Sequence, residues 1–384
     1  MIWLILGAVL PSMVITWAAA YLIRAIGPRL GLVDKPGHRK VHSKVMPTAG
    51  GLAIWLGIVL PLAMGQFLLW NVDPTSGVIH DLGMQVPEFV RPHLAGLAEQ
   101  SDRLWVLLAG GSVLMILGLV DDRRGIDWRL RLGVQAGVAT ALVLQQWRLS
   151  LFLDVPLVTG ALSVFWIVGL VNSFNMLDNM DGLSAGVATI AAAMLAAVML
   201  LAPAPMSHQP QLFVGGFLLV LVGALIGFLW HNWPPARLFM GDTGAYLVGY
   251  LLAAMTLSAT FTGENLPSHA ILAPLCVLAV PLYDTATVIF IRLREGRSPF
   301  VGDKSHFSHR LVELGMTKTQ AVLTIYLTTA TCGLGALLLH QVNWTGACVI
   351  LLLVACVLLL VGVLETAGRR RRNGDSPGSK DAQG

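Results

Sequence analysis

Apolar runs of about 20 residues, the length that crosses a bilayer core, follow one another along most of this chain, separated by short polar connections. They predict about eleven membrane-spanning helices, over 2–23, 50–70, 103–120, 132–147, 158–177, 183–202, 212–230, 244–262, 270–291, 319–340 and 346–365. The implied fold class is all-α, a polytopic integral membrane protein with no room for a separate soluble domain. Residues 1–368 form one transmembrane domain in this reading, and 369–384 (RRRRNGDSPGSKDAQG) form a basic anchor followed by disorder. The segment from Asn71 to Asp102 reads as a partly ordered loop or an interfacial helix.

Composition agrees with that pattern. The chain is 55% hydrophobic and 12% charged, where a soluble domain carries roughly a quarter charged residues. Charge then orients the spans. Of the 25 lysines and arginines, all but Arg91, Arg103 and Arg148 fall in alternate connections or the C-terminal tail. By the positive-inside rule those connections face the cytoplasm and the N-terminus lies outside. The N-terminal MIWLILGAVL has no basic n-region and reads as a retained span. Cys276, Cys332, Cys348 and Cys356 lie in apolar runs without metal-ligand spacing and read as small core residues.

Every loop with candidate chemistry falls on the basic side: about 24–49, 121–131, 175–186, 231–243 and 292–318. The central one, NSFNMLDNMDGLSAG, puts Asn175, Asp178 and Asp181 between two apolar helices. Polar groups at the edge of hydrocarbon are costly unless water, an ion or a substrate compensates them; a plain polar loop is the alternative. If a helix ends at Asp178, Asn175 and Asp178 share a face. Asp121 and Asp122 end the third span, as base, metal neighbours, or salt-bridge partners of Arg123 and Arg124. Asp242, between Gly241 and Gly244 at a helix start, suits a magnesium-bridged diphosphate, although a simple N-cap has the same pattern. Magnesium takes only one or two protein oxygens, so Asp242 and Asn175 suffice.

The segment REGRSPFVGDKSHFSHRLVELG, with Arg292 just before it, brings Arg292, Arg294, Arg297, Lys304, His306, His309 and Arg310, cations suited to a nucleotide diphosphate. His306 and His309 have zinc spacing, but no thiolate or third histidine accompanies them. Asp284, in PLYDT, is either a helix-packing acid or a partner for a basic loop residue. VDKPGHRKVHSKVMPTAGG, with Lys44, suits a lipid phosphate or simply anionic headgroups.

Six segments in this order, DKPGHRKVHSKVMPTAGG, the Asp121–Asp122 pair, NSFNMLDNMDGLSAG, FMGDTGAY, PLYDT and SPFVGDKSHFSHRL, resemble the polyprenyl-phosphate N-acetylhexosamine-1-phosphate transferases of glycosyltransferase family 4. The resemblance covers residues from about 30 to 320. It looks closer to bacterial enzymes that use UDP-N-acetylglucosamine, which start wall teichoic acid, enterobacterial common antigen or O-antigen. The peptidoglycan translocase, which uses UDP-N-acetylmuramoyl-pentapeptide, is the more distant match, and a deoxy-amino sugar is a further alternative.

The family's H-x-H-H stands here as His306, Phe307, Ser308, His309, without its third position. The resemblance implies that Asp242 and Asn175 ligate Mg2+, with Mn2+ as alternative, and that Asp121 and Asp122 lie near the lipid phosphate, Asp121 as base where one is needed. Asp178 and Asp181 would orient the nucleotide and metal shell, Lys44 would hold a phosphate, and His306, His309 and Arg310 would face the sugar diphosphate. Implied partners are undecaprenyl phosphate, a UDP-N-acetylhexosamine, membrane lipid and, in a homodimer, a second copy, with no nucleic acid; the implied location is the bacterial inner (plasma) membrane. In-line attack by the lipid phosphate would release UMP; direct attack and a covalent intermediate both remain open. The rival from another class is a secondary transporter, whose polar groups gather near mid-bilayer, often in repeated halves.

Overall fold

The computed structural model describes residues 1–34, 45–72, 78–79, 84–86, 91, 94–149, 155–201, 210–259, 267–301, 303 and 305–374, without the side chains of 78–79, 84–85 and 366–374. In chain order its helices are α1 (Ile2–Ile26), α2 (Gly50–Trp70), α3 (Leu94–Glu99), α4 (Ser101–Arg124), α5 (Trp128–Leu144), α6 (Pro156–Leu177) and α7 (Leu183–Leu201). They continue with α8 (Leu212–Asn232), α9 (Gly241–Ser258), α10 (Ala273–Val277), α11 (Ala279–Arg294), α12 (Phe307–Glu313), α13 (Lys318–Leu338) and α14 (Trp344–Gly374). Two small antiparallel ladders join them: β1 (Val33–Asp34) with β2 (Met46–Pro47), and β3 (Val78–Ile79) with β4 (Met84–Gln85). No strand was expected from the hydrophobic pattern; each ladder is only two residues long.

The chain is a multi-pass membrane protein, and each of the eleven predicted spans contains helix. Among the described residues, eight helices are individually long and apolar enough to cross a membrane, or nine spans if a bent pair counts as one. That pair, the predicted span 270–291, breaks at Leu278 and bends by 67°. Pro281 has no N–H to donate to Val277, so hydrogen bonding cannot run on, whereas proline is tolerated in the first turn of the new helix. The other two helices, α5 and α9, fall short: α5 has 17 residues, and α9 opens on the polar GDTG. The last helix continues through Arg369–Arg372 to Gly374, past the point where disorder was expected.

Of those eight, α7 and α8 are the most enclosed and α1 and α14 the most peripheral; α9 is more enclosed still, buried without a break from Thr243 to Leu257. Exposed Leu157, Phe165, Leu327 and Leu353 suit a lipid surround. Cys276 and Cys332 are buried as expected, but Cys348 and Cys356 are exposed on α14, where lipid supplies the apolar surroundings. Ser12 Oγ lies 2.7 Å from both Gly57 O and Val220 O, linking α1 to α2 and α8.

One crossing positions everything that follows. A Cβ on Gly51 would lie 2.1 Å from Gly244 N, and one on Gly118 would lie 2.4 Å from Asp242 O. The start of α2, the end of α4 and the start of α9 therefore meet backbone to backbone. Gly50 N and Gly51 N donate to Phe239 O and Met240 O at 2.9 and 3.1 Å, and Phe239 N donates to Pro47 O at 2.9 Å.

Gly51→Ala must push α2 from α9, and is expected to lower stability by about 1–3 kcal/mol. Gly65→Ala on the same helix, with open space around its Cβ, should leave the melting temperature unchanged or slightly raised. Thermal unfolding of the two variants in detergent checks this.

Candidate active site

The acids singled out in the sequence come from four elements that end at the same side of the bundle. Asp121 and Asp122 lie in the last turn of α4, Asp178 caps the C-terminus of α6, Asp181 follows in the turn to α7, and Asp242 sits in the first turn of α9. Asn175 Nδ2 donates to Asp242 Oδ1 at 2.5 Å, joining the two residues expected to share an ion.

Asp122 does what Asp242 might have done for itself. Its Oδ1 accepts from Asp242 N at 2.9 Å, and its Oδ2 from Thr243 N at 3.1 Å and Thr243 Oγ1 at 2.6 Å. Thus α9 is capped by a carboxylate from α4, favoured by the helix dipole. The residue at the N-cap position itself, Met240, supplies no side-chain bond. Asp242 is not a simple N-cap, and its side chain is left for other work. Gly241 has φ +70, and any Cβ there would run into the Asp122 carboxylate.

Asp121 is equally engaged. It accepts from Ile126 N at 2.7 Å, Tyr246 Oη at 2.7 Å and Arg131 Nη1 at 3.0 Å. Its guanidinium partner is Arg131 of α5, not Arg123 or Arg124, because the chain reverses after α4 and brings α5 back alongside. Three donors thus fix the carboxylate of Asp121, the residue implied as base where one is needed.

Asp178 keeps intermediate exposure, yet the surrounding protein pushes its carboxyl up to about 7. Burial is the main cause; repulsion from Asp122 and Asp181 adds to it, against one hydrogen bond from the Gly241 N–H. Asp181 Oδ2 accepts from Ala236 N at 3.0 Å, and Asn232 Oδ1 accepts from Gly182 N at 2.9 Å, so the α6–α7 and α8–α9 turns are sewn together.

The segment after α11 joins the same end. Asp284 is fully buried, and its carboxylate lies 3.0 Å from His306 Nδ1 and accepts from Phe307 N at 2.6 Å. Of its two readings, the partner of a basic loop residue is the one the structure shows. Ser308, at the departed third position of the motif, donates to Asn179 Oδ1 at 2.5 Å and ties the segment to the acids' turn. His306 and His309 have ring centroids 6.3 Å apart. No group of three His, Cys, Asp or Glu side chains able to hold a metal occurs among the described residues.

Two expected cations are turned elsewhere. Arg310 is 3% exposed: Nη1 donates to Ser305 O, Nη2 to Thr287 Oγ1 at 3.1 Å, and Nε lies 3.0 Å from Glu365 of α14. Its guanidinium braces the segment against α11 and α14. Arg292 is likewise buried and donates to Pro299 O at 2.6 Å and Asp303 at 3.0 Å. Asp303 also pairs with Arg297 at 2.8 Å. Burial would raise its carboxyl, but the Arg292 hydrogen bond, two bonds from Ser305 and the Arg292 charge hold it well below the usual range. Phe300 stacks on Trp128 at the start of α5, with centroids 4.0 Å apart and planes at 9°. Lys44 and Lys304 lie outside the described residues.

Arg131, Tyr246, Thr243, Asn179 and Ser308 were not singled out as site residues from sequence. Tyr246 alone carried a readable signal, being four residues after Asp242 and so on the same helix face.

The pair expected to share an ion, Asp242 and Asn175, brings one carboxylate and one amide, the small oxygen set that magnesium takes from protein. Asp121, Asp122, Asp178 and Asp242 lie close enough to act on one another's charge, and Arg131 bonds to Asp121. Excess negative charge on oxygen donors is the chemistry of a hard divalent ion.

The model of glycosyl transferase family 4 matches residues 104–260. A decaprenyl-phosphate N-acetylglucosaminephosphotransferase of Mycobacterium tuberculosis (strain CDC 1551 / Oshkosh) is 33% identical over 85% of this chain and 80% of its own. A probable undecaprenyl-phosphate N-acetylglucosaminyl 1-phosphate transferase of Bacillus subtilis (strain 168) is 29% identical over 89% and 87%. An undecaprenyl-phosphate alpha-N-acetylglucosaminyl 1-phosphate transferase of Escherichia coli (strain K12) is 27% identical over 89% and 86%. The chain belongs to glycosyl transferase family 4, among the prenyl-phosphate N-acetylglucosamine-1-phosphate transferases.

Removing the carboxylate that caps α9 leaves two backbone N–H groups and a hydroxyl without their acceptor. Asp122→Ala is expected to destabilise the protein by about 1–3 kcal/mol, and Asp122→Asn, which retains one oxygen, by less. Equilibrium unfolding of both variants reads the order.

Proposed function

We propose that this enzyme transfers N-acetylglucosamine 1-phosphate from UDP-N-acetylglucosamine to undecaprenyl phosphate at the cytoplasmic face of a bacterial inner membrane, releasing UMP and starting a lipid-linked envelope polysaccharide. The observation that carries this reading is the Asn175–Asp242 contact at the point where Asp122 caps α9. The relatives' names supply the sugar and the prenyl phosphate. A transporter suits the geometry less, because these acids gather at one end of the bundle rather than at its middle.

Asp242 and Asn175 would hold Mg2+, or Mn2+ in its place, with Asn175 turning its amide oxygen toward the ion. A bound ion would neutralise the diphosphate and so ease departure of UMP. The protein's own part is chiefly positioning and charge. Asp122 fixes the start of α9, and through it the direction of Asp242. Asp121, locked by Arg131 and Tyr246, holds the α4–α5 turn against α9. Asp178, with its carboxyl near 7, has the proton affinity suited to exchange at neutral pH. His306, oriented through Nδ1 by Asp284, is left with Nε2 for a phosphate or sugar oxygen.

The test is transfer of label from UDP-N-acetylglucosamine to undecaprenyl phosphate by purified protein, with and without chelator. Chelation should abolish transfer. Asp242→Asn should reduce it by about a hundredfold or more, with melting temperature nearly retained. Transfer that survives both treatments would remove the metal reading, and turnover only with another UDP-hexosamine would replace the donor.

A further inference from the structure

α14 turns Leu359, Leu360, Val363 and Leu364 outward, yet the residue after them, Glu365, is 5% exposed. It is the one acid of that helix. A carboxylate beside hydrocarbon is costly unless it is paired, and a buried guanidinium left alone is costly too. Glu365 Oε2 lies 3.0 Å from Arg310 Nε and accepts from Tyr283 Oη at 3.2 Å.

The other two nitrogens of that guanidinium lead to both sides of the Asp284–His306 pair. Nη1 donates to Ser305 O, on the residue before His306. Nη2 donates to Thr287 Oγ1 at 3.1 Å, and that hydroxyl lies 3.0 Å from Asp284 O, one turn back on α11. One guanidinium thus holds the chain entering His306 and the helical turn that carries Asp284. Tyr283 supplies a second connection: its hydroxyl meets Glu365, and its ring packs edge-on against Phe307, the residue after His306, with centroids 5.7 Å apart. Glu365 therefore reaches both chain neighbours of His306 through one intermediate side chain each.

The pair that these contacts frame is itself tight, with His306 Nδ1 3.0 Å from Asp284 Oδ2. It sets where Nε2 points, and a displacement of about 1 Å at a reacting group can cost about a hundredfold in rate. Asp284 also lies close enough to act on the Glu365 charge. A guanidinium released by loss of Glu365 would turn to Asp284 and compete with His306 for it.

We propose that Glu365 is a positioning residue for transfer: by holding Arg310 and Tyr283 it fixes Ser305, Phe307 and the Asp284 turn, and so aims His306 Nε2 at the substrate. This rests on the transfer reaction proposed above.

The test is a double-mutant cycle on kcat/KM in the full-length protein, with the UDP-hexosamine that the wild type turns over. Glu365→Ala should lower kcat/KM at least tenfold, and Glu365→Gln, which keeps an acceptor oxygen without the charge, about threefold. In a His306→Ala background neither should cost more than a further twofold, because the effect passes through that imidazole. A purely structural role would repeat the full loss there. Leu360→Ala, on the exposed face of the same helix, should match the wild type. The imidazole 15N spectrum of substrate-free protein gives a readout besides activity: Glu365→Ala should move the His306 signals, assigned by their absence in His306→Ala. Undiminished transfer by folded Glu365→Ala, the full loss repeated without His306, or unmoved His306 signals would each overturn the proposal. Should Glu365→Ala fail to fold, Glu365→Gln carries the same cycle and spectrum. Wild-type protein that transfers no UDP-hexosamine would instead remove the proposed function, and this inference with it.

Discussion

The helix that carries Asp242 is capped by a carboxylate from a different helix, and that arrangement requires backbones to touch. Asp122 reaches the first N–H groups of α9 because Gly118, one turn before it on α4, lies against the Asp242 peptide. Gly51 does the same for α2 against Gly244. A methyl group at either position would part these helices, and the acids depend on the contact. Side-chain orientation at the site therefore follows from main-chain packing inside the membrane, where small residues let helices approach closely.

Charge is the second constraint. Four carboxylates converge, and the guanidinium bonded among them, Arg131, is spent on Asp121. The buried arginines of the neighbouring segment, Arg292 and Arg310, are committed to Asp303 and Glu365. Protein cations thus brace the scaffold around an anionic centre instead of neutralising it. The proposed divalent cation, carrying the diphosphate, would answer that charge.

Much of this was legible in the chain. Spans are visible because hydrocarbon demands continuous apolar helix, and acids stand out because they are rare beside it. What escaped depended on returns of the chain. Arg123 and Arg124 are nearest to Asp121 in sequence, but Arg131 meets it after the turn into α5. The Arg310 partner, Glu365, comes from the final helix, and no spacing rule links the two. Cys348 and Cys356 were misplaced because lipid-facing and core positions are both apolar in a membrane protein. The broken span at Leu278 carried its signal in Pro281, masked by the hydropathy around it.

Asn175 and Asp242, from two helices joined through the Asp122 cap, are proposed to hold one divalent ion against the substrate diphosphate. Electron paramagnetic resonance of Mn2+ added to the purified protein with UDP-N-acetylglucosamine tests it most directly. A bound Mn2+ signal with coupling to phosphorus is expected, weakened at least tenfold in affinity by Asp242→Asn and also reduced by Asn175→Ala. A bound ion with the same affinity and phosphorus coupling in both variants would place the metal elsewhere and contradict the account.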